Sequence, residues 1–330
     1  DIAEGEWVSA EAMYARKILD THKVTAGAEY QLNLKQLQNN YNESPYYLYL
    51  HDNTKSNRWA LYLQDEYSIL DNLILNAGLR HDYYYTFGSS TNPRIALIYA
   101  PAKTTAIKLI YGTAFRAPNN YELYYHDNIN LGANPELKPE TIKTYELVLE
   151  QYLGKHLRGT AAAFYNDIRD LIQQQSDPYT GVLVFRNTDR VVAKGLEFEV
   201  DGVWNGGYRA RASYTVQEAK DRTTNITPVN SPKHLAKLNV TFPIWSDKIF
   251  GGAEEQFSSS RRTLLGDSTG CSYVTNVTIF SQKIIRNLEF SGSIYNLFDQ
   301  KYGDPGAEEH REDLIEQNGR TFRLKLTYKF

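Results

Sequence analysis

Apolar side chains fall on alternate residues along most of this chain, and that period of two constrains its fold more than any other feature. At the end of the chain Phe322, Leu324, Leu326, Tyr328 and Phe330 alternate with Arg323, Lys325, Thr327 and Lys329. Successive residues of a strand point to opposite faces, so such a segment is a strand with one greasy side. In 58–69 the same arrangement sets Trp59, Leu61, Leu63, Asp65, Tyr67 and Ile69 against Arg58, Ala60, Tyr62, Gln64, Glu66 and Ser68. Further alternating runs occupy 73–82, 144–152, 196–202, 207–216, 235–242 and 287–296. No segment sustains an apolar stripe at i, i+3, i+4, i+7, so helices are expected to be short and confined to loops.

The pattern predicts fifteen strands, near 6–18, 23–34, 58–69, 73–85, 93–100, 105–115, 139–152, 156–172, 188–203, 207–219, 232–243, 248–259, 272–283, 287–298 and 319–330. Tight connections such as Asp71-Asn72, Gly154-Lys155, Asn205-Gly206 and Ser246-Asp247 alternate with long polar ones at 35–57, 86–92, 116–138, 173–187, 220–231, 260–271 and 299–318. An up-and-down meander with all its long loops at one end produces this alternation. Greek-key sandwiches mix connection lengths, and propellers repeat at about 40–50 residues.

Composition narrows the choice. The mean hydropathy of -0.53 and the lack of an 18-residue apolar run rule out helical membrane spans. A transmembrane barrel has strands of about ten residues in the bilayer, short turns on one side, long loops on the other and aromatic girdles. The chain holds 26 Tyr beside 13 Phe and 4 Trp. Tyr14, Tyr30, Tyr46, Tyr47, Tyr49, Tyr83, Tyr84, Tyr85, Tyr111, Tyr124, Tyr125 and Tyr328 lie near predicted strand ends or in loops, as girdles or a tyrosine-rich binding surface require. A formal net charge of -3 argues against a nucleic-acid partner. One cysteine, Cys271, rules out an intrachain disulfide framework, a Cys₄ zinc site and a CxxC motif. There is no GxSxG, HExxH or Walker loop, and the seven His are scattered, so no catalytic residues are assigned.

Four stretches, taken together and in order, resemble the TonB-dependent outer-membrane receptors. They are Gly78-Leu79-Arg80-His81-Asp82; Phe115-Arg116-Ala117-Pro118 leading into Glu122-Leu123-Tyr124; Asn134-Pro135-Glu136-Leu137-Lys138-Pro139-Glu140; and Asn296-Leu297-Phe298-Asp299, followed by Tyr302, Gly319-Arg320 and the terminal Phe330. The resemblance implies a bacterial outer-membrane location and a 22-stranded transmembrane antiparallel β-barrel plugged by an N-terminal domain on which the TonB protein pulls. Residues 1–330 show neither a plug-like region nor a TonB-contacting segment. Single-chain bacterial barrels have even strand numbers. The expectation is therefore the C-terminal part of a receptor barrel, with the plug and about seven strands supplied elsewhere.

The resemblance also implies a cargo, a small-molecule metal chelate. A ferric siderophore ranks ahead of haem, and haem ahead of cobalamin; a passive porin-like channel and a soluble carbohydrate-binding module are the rival readings. Candidate ligand contacts are Tyr121, Glu122, Tyr124, Tyr125 and His126. In haem-uptake members of the family a histidine in this interval is an axial iron ligand, so His126 is a candidate haem ligand; the alternative is a solvated loop histidine beside Asp127. No resident cofactor and no protein-held metal are expected. Arg116, Glu122, Lys138 and Glu140 are placed to staple the long loop by charge pairs. Arg80, Asp82, Glu146, Glu150, Lys194, Glu197, Glu199, Arg209 and Arg211 are expected to face the lumen. Asp304, Glu308, Glu309, Glu312 and Asp313 form an acidic run without EF-hand spacing.

Overall fold

A computed structural model describes residues 1–330 except Asn128, Asp189, Glu308 and Glu309, and leaves the side chains of Gln282 and Lys283 outside the description. The chain runs β1 (Ile2–Ile18), β2 (His22–Glu43), β3 (Tyr46–Leu70), β4 (Leu73–Tyr84), β5 (Gly88–Ala102) and β6 (Thr105–Arg116). A short helix α1 (Asn120–Tyr124) and β7 (Leu131–Gly132) follow, then β8 (Glu140–Leu153), β9 (Leu157–Arg169), β10 (Ile172–Ser176), β11 (Leu183–Asn187) and β12 (Val191–Val203). The remainder is β13 (Arg209–Asp221), β14 (His234–Trp245), β15 (Ile249–Ser258), β16 (Ser272–Ile285), β17 (Leu288–Tyr295), β18 (Gly303–Pro305), β19 (Leu314–Glu316) and β20 (Thr321–Tyr328).

Fifteen of these strands form one sheet in which each pairs with its neighbours along the chain, omitting only β7, β10, β11, β18 and β19. Its edges are β1 and β20, which do not pair with each other, so the sheet is open rather than closed. The predicted strand set is present in the predicted order.

The register shows why the alternation is so regular. One row across the sheet reads Leu97, Leu109, Leu147, Ala163, Leu196 and Val216 in successive strands. Leu109, Leu147 and Leu196 are exposed, so this row lies on the outside of the protein rather than in a core. The row above it reads Tyr111, Tyr145 and Tyr165, with Tyr111 and Tyr145 packed at 5.0 Å. The opposite face carries ion pairs: Arg80 with Glu29, Lys108 with Glu150, Arg158 with Asp201, and Arg211 with Glu199. Tyr62 on β3 reaches over β2 to donate its hydroxyl to Glu11 on β1 at 2.7 Å. It passes above Gly27, where a Cβ would lie 2.2 Å from the Tyr62 ring. Side chains two strands apart meet this way on a concave surface, so the polar face is the inner one. An apolar outside and a polar inside invert the layering of a soluble domain and match a barrel wall.

Three expectations change. Residues 35–57 are not a loop, because β2 and β3 continue as paired arms to Glu43 and Tyr46 around a turn at Ser44-Pro45. Residues 86–92 shrink to the turn 85–87, since β5 begins at Gly88. Lys194 lies on the outer face, in line with Leu196, Phe198 and Val200 and paired with Glu218. Arg209 and Arg211 are on the inner face with Glu199 and Asp201, as expected.

Candidate functional site

The end of the sheet that carries the long connections is built around one arginine. Arg116 closes β6, and its Nε and Nη2 donate to both oxygens of Glu140, at 2.7 and 2.8 Å, where β8 begins. Its Nη1 donates to Glu122 at 2.9 and 3.0 Å. Both strand ends and the helix between them are thereby tied to one planar guanidinium, whose fork suits two carboxylates at once. Among the described residues Lys138 joins through its backbone, its N–H donating to Asn187 Oδ1 and its carbonyl accepting from Asn187 Nδ2.

Helix α1 forms because its first turn is capped from both sides. Asn119 Oδ1 accepts from the Glu122 N–H at 2.9 Å, and Glu122 Oε2 accepts from the Asn119 N–H at 2.8 Å. Glu122 is therefore buried and fully occupied by its own chain. Beneath the helix, Leu123, Leu137 and Ile172 make a small buried cluster, with Tyr124 and Phe185 packed against it. Asn134 holds the return of the loop, donating its Nδ2 to the Phe185 carbonyl and its N–H to the Leu123 carbonyl. Pro118 is buried, Pro135 follows Asn134, and Pro139 precedes Glu140, whose Oε1 also accepts the Ile172 N–H. Phe115, beside Ala117-Pro118, stacks edge-on to Tyr84 and Phe87. The two sequence boxes are thus a lock that fixes the long loops to the strands.

The loop faces the β2–β3 arm. Gln38 donates to the Asn120 carbonyl at 3.0 Å, Thr54 donates to Asn120 Oδ1 at 2.9 Å, and Asn40 donates to the Tyr125 hydroxyl at 2.7 Å. Tyr121 lies 4.5 Å from Tyr125 and 5.8 Å from Phe185, so three rings line one wall. Burial raises the Tyr124 phenol above its usual range, and the nearby Asp52 carboxylate and Tyr85 add to this. Burial pushes the Asp127 carboxyl up, but the N–H groups of Leu131, Ile129 and Asn130 outweigh it and hold Asp127 below the usual carboxylate range. The buried Nδ1 of His126 and Oδ2 of Asp52 have no hydrogen-bond partner among the described residues. The candidate residues Tyr121, Tyr124 and Tyr125 therefore share one vestibule with Asp52, Gln38, Asn40 and Thr54, and His126 follows Tyr125 in the same loop. The sequence offered no spacing signal for these four, whereas the Asn119-x-x-Glu122 capping pattern was readable.

The other motif residues shape a second wall. Asn296 is buried, with its Nδ2 donating to the Gln300 and Asn318 carbonyls and its Oδ1 accepting from the Gln300 N–H. Leu297 donates its N–H to the Thr275 carbonyl, and Asp299 accepts the Arg320 N–H. At Gly319 a Cβ would come within 2.4 Å of Asp299 Oδ1, so a side chain there would displace that carboxylate. Phe298 and Phe330 are exposed. A cavity of about 700 Å³ opens on the inner face nearby, lined by Lys237, Gln256, Arg261, Asn276, Tyr295 and Tyr302 among others. In the acidic run, Asp304 pairs with Arg261 and Asp313 accepts the Leu265 N–H, while Glu308 and Glu309 lie outside the described residues. Among the described residues no group of three or more His, Cys, Asp or Glu could hold a metal ion. Cys271 is exposed.

A family model described as TonB dependent receptor-like, beta-barrel, matches residues 6–297. An iron-regulated outer membrane virulence protein of Vibrio cholerae is 25% identical over 300 residues, covering 83% of this chain and 44% of that protein. A vitamin B12 transporter of Photobacterium profundum is 27% identical over 286 residues, covering 82% of this chain and 43% of that protein. The chain thus spans less than half the length of these relatives. Among solved structures, the ferric enterobactin receptor of Pseudomonas aeruginosa superposes with a TM-score of 0.79 at 18% identity, covering 99% of this chain and 54% of that one. The ferric-catecholate import receptor Fiu of E. coli gives 0.78 at 19% identity, covering 99% and 55%.

Proposed function

Because this chain belongs to the TonB-dependent receptor β-barrel family of the bacterial outer membrane, we propose that it forms the C-terminal barrel portion of a receptor importing a ferric siderophore. The remaining strands and the plug complete the lumen, and TonB supplies the energy through a segment outside residues 1–330. The family consists of receptors and transporters, and no chemistry on the cargo is proposed. The observation that carries this reading is the aromatic wall of Tyr121, Tyr125 and Phe185 above the inner face, with Tyr124 and Asp52 beside it. Such a wall suits a flat, aromatic chelate, since each well-placed ring contact adds about 1 kcal/mol beyond area burial.

The test is binding of a ferric catecholate to the full receptor, followed by fluorescence quenching. Tyr121→Ala with Tyr125→Ala is expected to weaken binding by roughly tenfold or more, each lost ring contact being worth about 1 kcal/mol. Unchanged affinity in this double variant, with the barrel folded, overturns the siderophore reading. The unpartnered Nδ1 of His126 supports a second reading, haem as cargo. It requires a visible-spectrum shift on haem addition that is lost in His126→Ala.

A further inference from the structure

The vestibule holds one carboxylate that no cation among the described residues neutralises. Asp52 lies on the β2–β3 arm opposite Gln38, between Leu50 and Thr54 on one side of β3. That side turns to the loop, because Leu50 is buried and both Thr54 and Gln38 bond Asn120. On the strand's other side His51, Asn53 and Lys55 are exposed, and His51 Nδ1 is bonded to Asn39 Oδ1. Arg116, the guanidinium of this end, is committed to Glu122 and Glu140. Asp52 Oδ2 is enclosed and has no hydrogen-bond partner among the described residues, and the same holds for Asn120 Nδ2. The residue as a whole is partly exposed, so a ligand can reach the carboxylate from the vestibule.

An enclosed carboxylate without a partner is costly, which is why such acids are normally paired. The aromatic wall beside it points to the missing partner. Tyr125 is fixed by Asn40, two positions along β2 from Gln38, and its ring lies 4.5 Å from that of Tyr121. Tyr124 lies near enough to Asp52 to feel its charge. The faces of such rings attract cations, and a carboxylate among them adds a charged hydrogen-bond acceptor. This combination recognises an organic ammonium. A multiply anionic chelate would instead meet like charge at Asp52. A bare metal ion does not fit, since no group of three or more His, Cys, Asp or Glu among the described residues could hold one.

We propose that Asp52 is a specificity-determining residue and that the cargo is an aromatic ferric chelate carrying a protonated amine. The amine donates its hydrogens to Asp52, while the rings of Tyr121 and Tyr125 pack against the arm that bears it. The inference rests on the siderophore reading and narrows it to chelates with a cationic arm.

The test uses the full receptor and two ferric chelates with the same catecholate core, one with a primary amine arm and one with that arm acetylated. Fluorescence quenching gives both affinities. Wild-type protein is expected to prefer the amine by roughly tenfold or more, the range of a charge-assisted hydrogen bond. Asp52→Asn keeps the shape and removes the charge, so its preference should fall below about twofold, within the scatter of a neutral hydrogen bond. Its affinity for the acetylated chelate should match that of wild type, which shows that the vestibule is intact. Equal affinity of wild type for the two chelates overturns the proposal and leaves the siderophore reading standing; a water bridging Asp52 and Asn120 would give this result. A preference that survives in Asp52→Asn also overturns it. Binding of neither chelate sinks the siderophore reading, and the proposal with it.

Discussion

Replacing Arg116 by alanine removes one side chain and leaves two carboxylates without their charged partner, Glu122 keeping the Asn119 N–H and Glu140 the Ile172 N–H. In the structure the guanidinium makes four hydrogen bonds, two to Glu140 and two to Glu122. The carboxylate side chains are only 10% and 15% exposed, whereas Arg116 is 44% exposed. Breaking a fully buried pair costs about 3–5 kcal/mol because the remaining charge has no partner. Water reaches Arg116, so screening reduces this, and about 2 kcal/mol is the working figure. The loss is local, because the lock joins the 117–139 loop to strand ends rather than holding the sheet together. Hydrogen exchange should read it at the Asn134 and Ile172 amides, which donate to the Leu123 carbonyl and to Glu140 Oε1. A loss of about 2 kcal/mol is roughly a 30-fold rise in the opening equilibrium at those amides. Arg116→Lys keeps the charge but cannot fork to two acids, so a rise of roughly fivefold is expected. Amides in the middle of β8 should not change in either variant. A change under threefold at Asn134 in Arg116→Ala would refute the reasoning, since the loop would then be held by something else.

Gly27→Ala should drive the Tyr62 ring off Glu11, at a cost of about 1–3 kcal/mol for overpacking, read as a lower midpoint of heat-modifiable gel migration. Leu147→Arg, on the outer row, should destabilise the barrel by about 2–4 kcal/mol in lipid, whereas Glu146→Gln on the inner face should not; urea unfolding in vesicles measures both. The lowered pKa of Asp127 means that its contribution to loop order is complete above its unfolded value of 3.8 and is lost as pH falls through the lower folded value. Proteolysis of the 119–139 loop should therefore be unchanged between pH 7 and pH 5 in wild type and increase only in stronger acid. Asp127→Asn should raise cleavage at neutral pH.

The legible part of this fold was the part the membrane disciplines. Within the belt, every second residue must meet lipid, and Leu147, Leu149, Leu196 and Phe198 could be placed from the sequence. Past the belt both faces are wet, so the β2–β3 arm has no reason to alternate: Gln36, Gln38 and Asn40 are polar, and so are Asn39 and Asn42. Its pairing was invisible for that reason, and with it the contacts of Asn40 and Thr54 to the loop. Lys194 illustrates the same boundary. Its parity with Leu196 pointed outward and its charge pointed inward, and parity prevailed because the strand there has left the hydrocarbon. The vestibule depends on pairings far apart in sequence, such as Asn40 with Tyr125 and Asn134 with Phe185, which no local pattern encodes. The motif residues were found, but as markers of the fold; the structure shows Arg116, Glu122 and Glu140 occupied with each other.

The central claim is that the strands present alternate residues to lipid and to the polar inner face of the sheet. It is tested by single cysteines at 144–150 along β8, in a Cys271→Ser background, labelled with a fluorophore and exposed to a nitroxide quencher carried on lipid chains. Strong quenching at 145, 147 and 149 with little at 144, 146, 148 and 150 is the predicted result. Quenching that is equal at odd and even positions, or that repeats every three to four residues, would contradict it.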